Sequence, residues 1–161
     1  MILVGSPAPA FECTAIVNRE VRQLAWSRLR EKKVLVLLFT SLQLDSDRLD
    51  YLIRLNDQAN RIERLRAKIA VVCRDDLYDI RVWLDDVLEE QGLDDFSLPI
   101  VVDSDNRIAS LYDLLVPDGR VTWGRHILDA DGIVRQTSTC SVPLEPDVDE
   151  LIRCIEGVRA M

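Results

Sequence analysis

Thiols are the side chains of this sequence with the clearest capacity for chemistry. The 161 residues include four cysteines, which are Cys13, Cys73, Cys140 and Cys154. No two of them are close enough in sequence to form a Cys-x-x-Cys motif or a zinc knuckle, so we interpret them as reduced thiols. His126 is the single histidine, so a Cys/His zinc site or a Ser-His-Asp triad is not expected. We therefore expect no metal and no cofactor.

The charge balance limits the classes of partner. The chain has 20 basic and 28 acidic residues and a net charge of -8, which repels phosphate backbones and anionic membranes except where basic residues cluster locally. The first nine residues lack a cationic start and a long apolar run, so we expect neither a signal peptide nor a spanning helix. These features predict a cytoplasmic protein with one domain, residues 1–161, and no nucleic-acid or membrane partner.

The elements that must position the thiols follow from the hydrophobic pattern. Residues 34–39 form a continuous apolar run, typical of a strand buried on both faces of a parallel sheet, and residues 69–73 indicate a second such strand. Between them, apolar residues recur at intervals of three and four from 49 to 65, which predicts one long amphipathic helix. A helix over residues 77–88 completes a βαβ unit.

The remaining segments extend this unit on both sides. Residues 20–26 predict a short hairpin, followed by a charged loop at 28–33. The second half predicts a strand at 99–102, a helix at 108–115, strands at 121–128 and 133–137 around an Asp-Ala-Asp-Gly turn, and a last helix with Pro146 at its first position. This order is that of a thioredoxin-like α/β fold, with a central mixed β-sheet flanked by helices.

Four segments in the same order resemble motifs of the peroxiredoxins. Residues 4–11 are similar to the Val-Gly-x-x-Ala-Pro-x-Phe segment that leads into the first strand of that family. Residues 71–75, with Trp83 downstream, resemble the family's Val-Ser-x-Asp motif. Residues 98–103, with Tyr112 downstream, resemble its Ile-Pro-x-x-x-Asp motif. Residues 127–136 resemble its Phe-x-Ile-Asp-x-x-Gly-x-x-Arg-Gln motif. The chain thus resembles the alkyl hydroperoxide reductase C and thiol-specific antioxidant branch. The resemblance implies a thioredoxin-like fold of the peroxiredoxin type.

The resemblance ends where the chemistry of the family resides. Peroxiredoxins carry a Pro-x-x-x-Thr-x-x-Cys motif between the central strand and the next helix. An alignment without insertion places Ser41 at the proline, Asp45 at the threonine and Arg48 at the reactive cysteine. The arginine that assists the family's thiolate falls at Trp123, whereas Arg125, two residues on, would point to the same face of the strand.

These replacements lead to two hypotheses. A guanidinium is permanently charged and delocalised and cannot act as the nucleophile, so the first is a non-catalytic homologue that acts through a protein partner or as a scaffold. For such a homologue the resemblance implies a homodimer or a larger ring. The second is a thiol-dependent peroxidase or redox sensor that uses Cys73, with Arg48 or Arg125 lowering its pKa. Against it, Cys73 could simply be a buried, inert thiol.

Overall fold

A mixed β-sheet forms the centre of the chain in the computed structural model, which describes residues 2–41, 46–93, 95–114, 123–140 and 147–161. The side chains of residues 46–48, 123, 139 and 140 are outside that description. The strands are β1 (Cys13–Val17), β2 (Glu20–Leu24), β3 (Val34–Thr40), β4 (Ala67–Cys73), β5 (Ile100–Val102), β6 (Trp123–Leu128) and β7 (Val134–Cys140). The helices are α1 (Trp26–Arg30), α2 (Ser46–Asp57), α3 (Ala59–Arg64), α4 (Leu77–Gln91), α5 (Arg107–Leu111) and α6 (Val148–Arg159).

The strands lie in the order β2-β1-β5-β4-β3-β6-β7. At its centre β3 pairs in parallel with β4, in a register that runs from Val34 opposite Ala67 to Thr40 opposite Cys73. β5 continues the parallel arrangement beside β4, whereas β1 and β6 pair antiparallel. The predicted mixed sheet flanked by helices is confirmed, and both apolar runs that predicted its central strands lie in it.

Alternate residues of β3 pack into two cores on opposite faces of the sheet. Val36 and Leu38 contact the apolar sides of α2, α3, α4 and α6. Leu35 and Leu37 face the other way and pack with the N-terminal segment, α1 and α5. Burial of one leucine or valine side chain stabilises a fold by about 1.5–3 kcal/mol. The buried side chains on both faces of β3 therefore stabilise its position at the centre of the sheet.

The amino-terminal hairpin differs from the prediction in its position. It is formed by β1 and β2, and its turn residues Asn18 and Arg19 both adopt positive φ, of 50° and 67°, as in the turns that match the twist of a hairpin. Residues 28–30 of the segment expected to be a charged loop form the end of the helix α1. In this helix the side chain of Leu29 is fully buried, and the partly buried Trp26 packs against the same core.

The predicted helix over 49–65 is interrupted at Gln58, between α2 and α3. The amide of Gln58 is shared between the carbonyl oxygens of Arg54 and Leu55, each at 3.1 Å, so the chain tightens locally. The apolar period continues across this point because Leu55 and Ile62 both face the same core. The hydrophobic pattern alone therefore could not locate the break.

Three other helices also differ from their predicted bounds, and of these α4 extends to Gln91. Asp113, with a φ of 58°, is left-handed and lies after the end of α5, so this helix is shorter than expected. The last helix begins at Val148, because Asp147 is its N-cap and accepts a hydrogen bond from the amide of Glu150 at 3.0 Å. Pro146, which was predicted as the first residue of this helix, lies outside the described residues.

His126 is a fully buried residue of the sheet interior. Its ring lies 5.7 Å from that of Phe39 and 5.4 Å from that of Tyr112, and its Nδ1 is 2.8 Å from Oγ1 of Thr137. Its Nε2 has no hydrogen-bond partner among the described residues. Burial lowers the pKa of His126 to about 4, although the nearby carboxylate of Asp113 acts to raise it.

This buried imidazole predicts a loss of stability in mild acid. The folded pKa of about 4 lies below the ordinary value of 6.5, so between these pH values the unfolded chain binds a proton that the folded chain excludes. The free energy of unfolding should therefore fall by about 3 kcal/mol as pH drops through that window. Urea unfolding of the protein and of His126→Gln would measure it. Equal pH dependence in the two proteins would contradict the assignment.

Candidate functional site

The predicted site lies at the carboxyl edge of the two central strands. β3 and β4 end side by side at Thr40 and Cys73. Ser41 follows directly, is buried, and its hydroxyl donates to Oδ1 of Asp75 at 3.2 Å. The carbonyl oxygen of Cys73 accepts a hydrogen bond from the amide of Asp103 at 2.8 Å. Two of the residues singled out in the sequence, Ser41 and Cys73, are thus brought to one edge.

The thiol of Cys73 is poorly suited to nucleophilic chemistry. Its side chain is 0% exposed and belongs to the core shared by α2, α4 and α6. Burial raises the pKa of Cys73 well above its ordinary value, and the carboxylate of Asp75 raises it further. Both effects disfavour the thiolate, which is the reactive form of cysteine.

The other altered family positions are described only in part. Arg48 lies in the first turn of α2, but its side chain is outside the described part of the structure. Asp45 lies outside the described residues altogether. Trp123 is the first residue of β6, opposite Cys140 of β7, and its side chain is likewise outside that part.

Arg125 bonds to a carboxylate on the last helix. Its guanidinium donates two hydrogen bonds to Glu150, at 2.6 and 3.0 Å. These bonds raise the pKa of Arg125 and lower that of Glu150 to about 2. The guanidinium of Arg125, which the sequence suggested as an activator of Cys73, is therefore engaged in an ion pair between β6 and α6.

Cys154, which the sequence pattern does not single out, lies beside this ion pair. Its thiol is partly exposed, donates to Oε1 of Glu150 at 3.1 Å, and lies 3.8 Å from Nη2 of Arg125. Burial and the hydrogen bond to Glu150 raise the pKa of Cys154, outweighing the opposite effect of Arg125. Glu150 and Cys154 are four residues apart on α6, which predicts a shared helix face, but only the docking of α6 on β6 shows that this face meets Arg125.

Tyr51 joins the second helix to this network. Burial raises the pKa of Tyr51 to about 12, against the lowering effects of the charge and the hydrogen bond of Arg125. Arg125 therefore links three elements, since it contacts Tyr51 on α2 and Glu150 on α6 from its place on β6. We call this set, with Cys154, the Arg125 network. Its geometry is that of a partly buried structural contact, with its thiol and phenol neutral near pH 7.

Cys13 completes the described thiols. It lies in β1, is 4% exposed, and burial raises its pKa to about 11. Cys13, Cys73 and Cys154 are therefore all protonated at neutral pH. Within the described ranges, no group of three or more His, Cys, Asp or Glu residues could hold a metal ion. Nor do these ranges contain a helix of the length and hydropathy needed to cross a bilayer.

Known proteins of one family are similar in sequence to most of this chain. The sequence pattern of the AhpC/TSA family matches residues 4–137. Peroxiredoxin-2 of Bos taurus is 27% identical over 155 residues, covering 96% of this chain and 77% of the relative. A putative peroxiredoxin of Pyropia yezoensis is 29% identical over 156 residues, covering 97% and 78% respectively.

Solved structures show the same architecture. The mitochondrial 2-Cys peroxiredoxin of Plasmodium falciparum superposes with a TM-score of 0.82 at 23% identity, over 97% of this chain and 94% of the other. AhpC of Mycobacterium tuberculosis gives a TM-score of 0.84 at 16% identity, over 99% and 94%. These likenesses confirm the thioredoxin-like fold of the peroxiredoxin type. Because the family pattern spans most of the sequence, the chain belongs to the AhpC/TSA family of peroxiredoxins.

Proposed function

We propose that this protein is a peroxiredoxin homologue that has lost the usual thiol peroxidase chemistry and acts through protein contacts, as a binding or scaffold protein. Membership of the AhpC/TSA family supports an origin in thiol peroxidase chemistry. The observation that favours its loss is the state of Cys73. This thiol, at the edge where the family reacts, is fully buried and its pKa is raised.

The chemical argument concerns the first step of peroxide reduction. A thiolate attacks one peroxide oxygen, a sulfur–oxygen bond forms as the oxygen–oxygen bond breaks, and the products are a sulfenic acid and water or an alcohol. The sequence has no cysteine between Cys13 and Cys73, so no shift of the alignment restores a thiol at position 48. A guanidinium there has no electron pair available for that attack.

Surfaces suitable for protein contacts are present on the scaffold. Among the described residues β7 lies at an edge of the sheet. Beyond Val134, which bonds to Gly5 and Ser6, such an edge strand offers unpaired backbone groups to a second chain. On α4, Tyr78 and Val82 are 75% and 43% exposed and lie one turn apart. Together with the family resemblance, these surfaces support a homodimer or a larger ring. A cytoplasmic location and the absence of a nucleic-acid partner stay predictions.

The alternative function is a thiol-dependent peroxidase or redox sensor that uses Cys73, with Arg48 or Arg125 as the activating charge. Family membership favours this function as a class. The burial of Cys73 and the pairing of Arg125 with Glu150 weigh against these particular residues. Among the described thiols, Cys154 is the one that combines partial exposure with an adjacent arginine.

Peroxide consumption with a thiol reductant separates the two functions. We expect negligible turnover by the purified protein, whose mass in solution, measured alongside, should be that of a dimer or larger ring. Restoring the family motif with Ser41→Pro, Asp45→Thr, Arg48→Cys and Trp123→Arg should raise the rate about a hundredfold or more, because only the nucleophile and its surroundings are missing. The matched control carries Arg48→Ser with the same three other substitutions. Substantial turnover by the unmodified protein, at a rate that matches an active restored variant, would refute the proposal.

Thiol labelling tests the alternative directly. In a Cys140→Ser background we expect iodoacetamide at pH 7 to modify Cys154 slowly, and Cys13 and Cys73 only after unfolding, because burial prevents both access and ionisation. Peptide mass spectrometry identifies each labelled site, and Cys154→Ser is the control for the assignment. Rapid labelling of Cys73 in the folded protein would instead favour the redox function.

A further inference from the structure

A cavity of about 310 Å³ opens at the amino ends of the two central strands, at the other end of the sheet from Cys73. Its walls combine five parts of the chain, which are residues 17–18 at the end of β1, the segment before β3, the helix α3, the start of β4, and residues 97–99 before β5. The volume is at the lower end of the range found for small-molecule sites. The size of the cavity therefore suits a small ligand.

The buried part of the lining is apolar. Ile62, Ala67, Ile69 and Leu98 line the cavity, and each is at most 5% exposed. All four belong to the core on the side of the sheet that α3 covers. A hydrocarbon group placed against them leaves water, which favours binding.

Two cations in the lining share one carboxylate. Nζ of Lys33 and Nζ of Lys68 lie 3.0 and 3.2 Å from the carboxylate of Glu31, and the two lysine side chains are 29% and 16% exposed. An ammonium has three N–H donors, and Glu31 takes one from each lysine. This group of three thus keeps a net positive charge and unfilled donors, so it can bind a ligand carboxylate without losing Glu31.

The fourth charge in the lining is the carboxylate of Glu63, which is exposed and forms no ion pair with another residue in the described ranges. Its helix packs on one face of the sheet through Ile62. Lys68 lies between Ala67 and Ile69 of β4, whose side chains are in that same core, so Lys68 leaves the strand on the opposite face. Glu63 and the lysine therefore approach the cavity from opposite faces of the sheet.

We propose that this cavity binds a small linear zwitterion, an amino carboxylate whose two charges are separated by a short apolar chain. The ligand carboxylate contacts Lys33 and Lys68, and the ligand ammonium contacts Glu63. The chain between them covers the apolar lining. Every group that the proposal uses lines the cavity, and none is a thiol. The site thus adds a small-molecule ligand to a protein that we propose to act by association.

Ligands with a single charge match the lining less well. Two positive and two negative side chains contribute to it, so their charges cancel. A simple carboxylate satisfies the lysines but leaves the charge of Glu63 unpaired, whereas a simple amine satisfies Glu63 but adds a cation beside two lysines. Only a ligand with both charges complements both sides of the cavity.

A titration followed by amide NMR spectroscopy tests the assignment, since it gives both the affinity and the place of binding. The probe is ε-aminocaproate, compared at constant ionic strength with caproate, hexylamine and glycine. We expect ε-aminocaproate to bind with an affinity of about millimolar, as for other small ligands, and to shift the amides of Ile69, Ser97 and Leu98. The three comparison ligands should bind at least about threefold more weakly, because each lacks one charge or the apolar chain.

Substitutions in the lining separate the two charged contacts. Glu63→Gln should weaken ε-aminocaproate by about threefold or more and leave caproate unchanged, because only the first ligand has an ammonium. Lys33→Gln should weaken both ligands. The matched controls are Glu156→Gln and Lys32→Gln, which remove the same charges from exposed side chains outside the lining. They should change either affinity by less than about twofold.

Several results would overturn the proposal. One is the absence of saturable shifts with ε-aminocaproate, and another is a set of shifts that lies away from the cavity. Equally tight binding of caproate or of hexylamine would show that one charge suffices. Equal effects of Glu63→Gln and Glu156→Gln would show that Glu63 makes no contact with the ligand.

Discussion

The parallel pairing of β3 with β4 is the constraint on which both ends of this molecule depend. Its register, from Val34 opposite Ala67 to Thr40 opposite Cys73, is held by apolar side chains buried on both faces of the sheet. One end of the pair brings the charged segments before β3 and β4 together, where the amide of Val34 donates to the carbonyl oxygen of Arg66. The other end places Cys73 beneath the helices, at the edge where peroxiredoxins carry out their chemistry.

The same burial that stabilises the strands disfavours ionisation of the Cys73 thiol. A thiolate in a low-dielectric core loses its hydration, and the neighbouring Asp75 adds repulsion to that cost. An arginine could offset these effects, but Arg125 instead bonds to Glu150 and contacts Tyr51. The result is a peroxiredoxin scaffold in which α2, β6 and α6 are joined by a network of polar contacts, close to where its relatives place a reactive sulfur.

The sequence predicted those features that depend on local pattern. The apolar runs predicted β3 and β4, and the four family-like segments predicted the peroxiredoxin type of the fold. The pattern did not predict α1, whose only fully buried side chain is that of Leu29, or the break at Gln58, because the apolar period passes through it. The Arg125 network was also missed, since it depends on how α6 docks against β6, and neighbouring residues in the sequence do not encode that contact.

Ultraviolet titration of thiolate absorbance in the folded protein tests the central claim most directly, since it reports ionisation of every cysteine without a chemical probe. With Cys140 replaced by serine, we predict no thiolate below about pH 8, because all three remaining thiols have raised pKa values. A thiolate that forms near neutral pH and is lost in Cys73→Ser would contradict the account, and would place an activated sulfur at the reactive edge of the sheet.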